Sequence, residues 1–122
     1  MKILIVEPRK HPRRAEIPHT LEDMQRVVGG DIEATYPFDD PVAIVNDGES
    51  KIKGYELNRY IPNVDIIAGT FFVCGLGAED FTDLPDDLAE KYERLFRYPQ
   101  AFARLPNGIL VISENGRTEI IR

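Results

Sequence analysis

Apolar and polar positions along this chain follow two periods, and the switch between them falls on a pair of glycines. Leu21, Met24, Val27 and Val28 recur at helical spacing. Gly29 and Gly30 follow, and glycine ends helices because it takes the left-handed backbone without a Cβ penalty. Beyond them Ile32, Ala34, Tyr36 and Phe38 alternate with Glu33, Thr35 and Pro37, the period of a half-buried strand. The pattern predicts a helix that lies on the sheet its following strand joins.

The other elements are read in the same way. Lys2 to Glu7 and Arg13 to Ile17 predict an N-terminal hairpin, with basic outer positions guarding an edge strand. Thr20 is placed to cap the first helix. Val42 to Val45 is apolar on both faces, which predicts a central strand. Lys51 to Lys53 suggests a short return strand, and Leu57, Tyr60 and Ile61 show helical spacing. Asp65 to Gly77 predicts one inner strand, in which Gly69 and Gly75 leave room for a backbone, a bulge or a ligand. A second helix begins around Asp83 to Asp87, with Leu88, Tyr92, Leu95 and Phe96 as its apolar face. Asn115-Gly116 between β-rich runs predicts a C-terminal hairpin. The expectation is an α+β fold: a mostly antiparallel sheet with two helices packed on one face. Residues 1–104 form the body and 105–122 a β-hairpin extension of the same domain.

Composition agrees with one domain. A chain of 122 residues that is 43% hydrophobic can bury a core without staples. The single Cys74 lies in an apolar run, which reads as an inert buried thiol in a reducing, cytoplasmic setting. No run approaches the roughly 20 apolar residues of a membrane span. Met1 to Val6 is too short in its apolar part for a signal peptide and ends at Glu7-Pro8.

Charge changes the picture more. Glu79 to Glu93 holds seven acidic residues and one lysine, so this segment alone carries the chain's net charge of −6. Its acids, Glu79, Asp80, Asp83, Asp86, Asp87, Glu90 and Glu93, are an ordinary solvated face or a docking surface for a basic partner. In the limit that surface would mimic DNA phosphates toward a DNA-binding enzyme. The opposite pole is Arg9, Lys10, Arg13 and Arg14, suited to self-association against a neighbour's acidic helix. A pI near 4.9 and the lack of interleaved aromatics argue against nucleic acid.

Candidate chemistry is sparse. The start of the chain lacks the glycine-rich turn of a nucleotide fold, and Gly29-Gly30 closes a helix where phosphate loops open one. His11 and His19 have no partners at ligand spacing, so no metal or cofactor is expected. The acid pairs Asp39-Asp40 and Asp86-Asp87 sit in turns or helix starts without a shared cleft. Asn58-Arg59 is the best small-ligand candidate, an amide and a guanidinium fork beside Gly69. The competing reading has Asn58 closing its own turn and Arg59 pairing with an acid such as Asp65.

Several stretches together resemble a known family. They are Lys2-Ile-Leu-Ile-Val-Glu-Pro8, Leu21, Val27-Val-Gly-Gly-Asp-Ile-Glu33, Tyr36-Pro37, Asp40-Pro-Val-Ala-Ile-Val45, Leu57-Asn-Arg59, Asp65-Ile-Ile-Ala-Gly-Thr-Phe-Phe72 and Gly75-Leu-Gly77. The pattern is similar to a small family of uncharacterised proteins encoded on phages, conjugative transposons and other mobile elements, largely of Gram-positive bacteria. It covers roughly residues 1–100 and leaves out the C-terminal hairpin. The resemblance carries over no catalytic residue. It implies a cytosolic accessory protein of a mobile element, acting on host defence or element transfer. The function expected is therefore non-enzymatic binding of a protein partner through charged surfaces. The alternative is a small-ligand binder using Asn58, Arg59 and Gly69, and DNA binding through the basic loop ranks last.

Overall fold

The strand Lys2–Val6 (β1) is apolar on both sides, and that decides the layering of the molecule. Ile3 and Ile5 point to one face and Leu4 and Val6 to the other, all buried. A sheet built from such strands needs cover on both faces. The computed structural model, which describes residues 1–122, supplies it from two different helices.

The main sheet adds Arg13–Glu16 (β2), Ile32–Thr35 (β3), Val42–Asp47 (β4), Phe71–Leu76 (β7) and Phe81–Thr82 (β8). The strand order is β2-β1-β7-β4-β3, with β8 on β7 and every pairing antiparallel. Leu57–Ile61 (β5) and Asp65–Ala68 (β6) form a separate ribbon. The first helix, Leu21–Val28 (α1), lays Met24 and Val28 on Ile3, Ile5, Ala43, Val45, Phe72 and Cys74. The second, Asp86–Leu95 (α2), covers the other face with the β5-β6 ribbon, joining Ala89, Tyr92 and Phe96 to Leu4, Val6, Ile44, Ile67 and Phe71. Phe38 closes this core with its ring centroid 4.8 Å from that of Tyr92. The expectation of two helices on one face is thus corrected: they lie on opposite faces, because β1 and β4 are apolar on both sides.

Local signals hold where they rest on one residue's conformation. Thr20 caps α1, its hydroxyl accepting from the Asp23 N–H at 3.1 Å, and Gly29 ends the helix at φ +92°. The basic β2 is an edge strand, as expected.

Other readings fail for physical reasons. Residues 57–61 are a strand; a register shift between Leu57 and Arg59 breaks the alternation that would have revealed it. The expected strand from Asp65 to Gly77 divides into β6 and β7 because Gly69 turns the chain at φ +76°. Lys51 to Lys53 is turn. On α2, Ala89 is buried while Leu95 stays 54% exposed.

The C-terminal hairpin forms, with Asn115 and Gly116 in its turn, and it gains a third strand. Gln100–Leu105 (β9) pairs with Gly108–Ser113 (β10), which pairs with Thr118–Ile121 (β11). β9 therefore reaches across the 104/105 boundary drawn from sequence.

Candidate functional site

Asn58 and Arg59 are both buried at 1% exposure or less. The Asn58 amide donates to the Val6 carbonyl at 2.9 Å and to the Gly69 carbonyl at 2.8 Å. Its oxygen accepts from Arg59 Nη1 at 2.8 Å. The other Arg59 nitrogens donate to Phe96 O at 3.0 and 3.2 Å and to Lys10 O at 2.7 Å. Burial pushes the guanidinium down to about 10, so it is still cationic at neutral pH. No carboxylate neutralises it, and Asp65 pairs with Lys51 instead. The charge is held by carbonyls, among them Phe96 O at the negative end of α2. With every donor used, the pair ties β5 to β1, the β1-β2 loop and the end of α2. None of the five main surface concavities is lined by either side chain.

Gly69 is spare of a side chain for a different reason than ligand approach. A Cβ there would lie 2.7 Å from the Tyr55 ring, which covers it. The Tyr55 hydroxyl donates to Gly29 O at 3.1 Å. Gly30 leaves similar room beside the buried Asp47 and its partner Lys53, 2.6 Å away. The glycines of the Val27-Val-Gly-Gly stretch thus end α1 and lodge Tyr55 and Lys53. Sequence reasoning missed Asp47, because a buried carboxylate in an Asn-Asp-Gly turn looks like any exposed turn residue.

The seven acids are carried by the β7-β8 loop, the segment that follows it and α2. Glu79, Asp80, Asp83, Asp86, Asp87 and Glu90 are exposed and Glu93 is half-buried. The fold positions them by laying residues 81–84 on the sheet. Asp83 Oδ1 accepts from the Lys2 N–H at 2.8 Å, and Leu84 N–H donates to Lys2 O at 2.9 Å. Part of this charge is neutralised from within. Arg14 Nη2 meets Glu93 at 2.7 Å and Arg14 Nη1 lies 3.8 Å from Asp86. Its hydrogen bond to Glu93 holds the Arg14 guanidinium above its ordinary pKa. His19 reaches Asp80 at 3.4 Å and Arg94 reaches Glu90 at 3.5 Å. Glu79 and Asp87 meet no cation within 4 Å.

Residues 1–97 match the model of a family described as Domain of unknown function (DUF3846). The chain belongs to that family. No curated protein and no solved structure matches it. The DUF3846 match takes in the Asn58-Arg59 lock and all seven acids from Glu79 to Glu93, and it stops just after α2. Strands β9 to β11 lie beyond it.

The basic pole of this DUF3846 chain is spent internally. Arg9 pairs with Glu56 at 3.1 Å, Arg13 with Glu7 at 3.1 Å and Lys10 with Glu7 at 3.6 Å, besides Arg14 with Glu93. Of the four, only Arg14 meets the acidic helix of its own chain, at Glu93 and Asp86. No group of three or more His, Cys, Asp or Glu side chains is placed to hold a metal ion. Cys74 is fully buried, and burial pushes its thiol up to about 12, far from a reactive thiolate. No helix is long and apolar enough to cross a membrane.

Three carboxyls tie stability to pH. Burial would raise Asp47, but the Lys53 ammonium and the Glu49 N–H outweigh it and hold the carboxyl low. Hydrogen bonds from Lys91 and Tyr92 lower Asp40, and one from Lys51 lowers Asp65. Each folded value lies below the ordinary 3.8. The stability these carboxyls contribute is complete above that value and is lost as pH falls through the folded ones. Urea midpoints are expected to fall between about pH 5 and about pH 2, and Asp47→Asn to flatten the fall. A variant curve parallel to wild type would remove Asp47 from this account.

Proposed function

We propose that the protein is a non-enzymatic accessory protein of a mobile element that binds a basic protein partner through its acidic surface. The mobile-element setting rests on the sequence resemblance, and interference with host defence is the role that setting suggests. One observation carries the docking reading. Glu79 and Asp87 stay exposed and without cations in a chain whose basic loop is wholly paired. Asp86 and Glu90 flank Asp87 on α2, each meeting only one exposed arginine. Solvated carboxylates of one sign steer a cationic surface toward them, and the attraction is screened by salt.

The small-ligand reading at Asn58 and Arg59 draws no support from their geometry, since every donor there is satisfied by the chain itself.

The test is affinity capture from host extract with the wild-type protein and with a Glu79→Gln, Asp87→Gln, Glu90→Gln variant. These side chains are exposed, so the fold is expected to be kept. A basic partner held at about 0.05 M NaCl is expected to be released at about 0.5 M, where the Debye length falls to a few ångströms. The triple variant is expected not to retain it at either salt. Capture that is indifferent to salt and to the three substitutions, or no capture at all, would sink the proposal.

A further inference from the structure

We propose that the groove between the end of α2 and the three-stranded C-terminal sheet binds a mononucleotide, an aromatic ring carrying a phosphate. The groove holds about 470 Å³, inside the roughly 300–1,000 Å³ of small-molecule sites. It lies at the other end of α2 from the acidic surface.

Three features select the ligand. The first is aromatic and apolar surface left in water. Tyr60, Tyr98 and Leu95 line the groove, with Tyr98 38% and Leu95 54% exposed. Aromatic side chains lining a cleft suit a stacked base.

The second is positive charge, unpaired at Arg117. Arg94 and Arg117 line the same groove. Arg117 meets no acid within 4 Å, and Arg94 meets only Glu90, at 3.5 Å in an exposed pair. Lys2 apart, the exposed cations without an acid partner are Arg97, Arg104, Arg117 and Arg122, all near or in the C-terminal sheet. Guanidinium forks match phosphate oxygens. Glu119 is the one carboxylate in the lining and suits the hydroxyls of a ribose.

The third is preorganisation. Gln100 Oε1 accepts from the Tyr60 N–H at 2.8 Å, and its Nε2 donates to Ser113 Oγ at 3.2 Å. The Glu114 N–H donates to Pro99 O at 2.9 Å. These bonds fix β9 to β10 and to β5, so the sheet side of the groove is set before anything binds. A polynucleotide is disfavoured by the chain's net charge of −6, whereas a single phosphate meets only the local field.

Intrinsic tyrosine fluorescence and thermal shift would be followed while AMP, GMP, CMP and UMP are titrated in turn, with inorganic phosphate and the free nucleosides as separate arms. At least one nucleotide is expected to bind below about 1 mM. Phosphate and nucleosides are expected to bind at least about tenfold more weakly. Arg117→Glu and Tyr98→Ala should each weaken binding at least about tenfold, while Tyr98→Phe and the distant Arg104→Glu should keep it. Far-UV circular dichroism checks that each variant is folded. The proposal is overturned if no nucleotide binds below about 1 mM, if phosphate alone binds as tightly, or if binding survives both Arg117→Glu and Tyr98→Ala.

Discussion

Arg59→Met is expected to cost about 3–5 kcal/mol of folding stability, the largest loss from any single substitution considered for this chain. Methionine would fill much of the volume, so the cost is not mainly a cavity. It comes from acceptors that lose their donors, those at Phe96 and Asn58 in a dry place. Phe96 O now takes two guanidinium hydrogens and Lys10 O takes one, while Asn58 Oδ1 accepts from Nη1. Each buried carbonyl left without a partner costs about 1–3 kcal/mol. Arg59→Lys is expected to recover only part of the loss. One ammonium cannot reach the end of α2, the β1-β2 loop and Asn58 together, as the planar fork does. Urea unfolding followed by circular dichroism measures both variants. A loss below about 1 kcal/mol for Arg59→Met would show that water replaces the guanidinium, and the interlocking role would fall.

Gly75→Ala is the second large effect, at about 3 kcal/mol, the upper part of the usual range for forcing extra volume into a packed site. Gly75 sits in β7 between Val42 of β4 and Thr82 of β8. A Cβ there would lie 2.3 Å from the Asp83 carbonyl oxygen and 3.1 Å from its carbon. The obstacle is backbone, which cannot swing aside as a side-chain end can. Relief would require lifting residues 81–84 off the sheet, breaking the bonds between Lys2 and Asp83 and between Leu84 and Lys2. That segment also sets where the acids at the start of α2 stand. The variant is therefore expected to lose partner binding in excess of its loss of folded protein. Thermal unfolding and capture at matched folded concentration separate the two effects. An unchanged melting temperature would mean that the chain passes over β7 less closely than described.

How much of this was legible in the sequence depends on the range of the cause. The left-handed stop at Gly29, the Thr20 cap, the basic edge strand and the Asn115-Gly116 turn rest on properties of one or two residues, and each stands in the fold. The concentration of seven carboxylates between Glu79 and Glu93 was equally plain, because it is a property of the residues alone; how many of them meet cations was decided by folding. The doubly apolar run Val42 to Val45 was read only as a central strand; that its sheet is covered on both faces, and which helix took which face, depended on crossovers no local pattern encodes.

Asn58 and Arg59 mark the limit most clearly. Their chemistry suits a ligand and a lock equally well, and local sequence could not choose between them. The choice came from a register shift in β5 that turned both inward, and from carbonyls at Val6, Lys10, Gly69 and Phe96 that only folding brings together. Short-range backbone preference and net charge were thus written in the residues themselves. Which polar groups were spent on the fold, and which were left facing water, was decided by contacts between segments far apart in the chain.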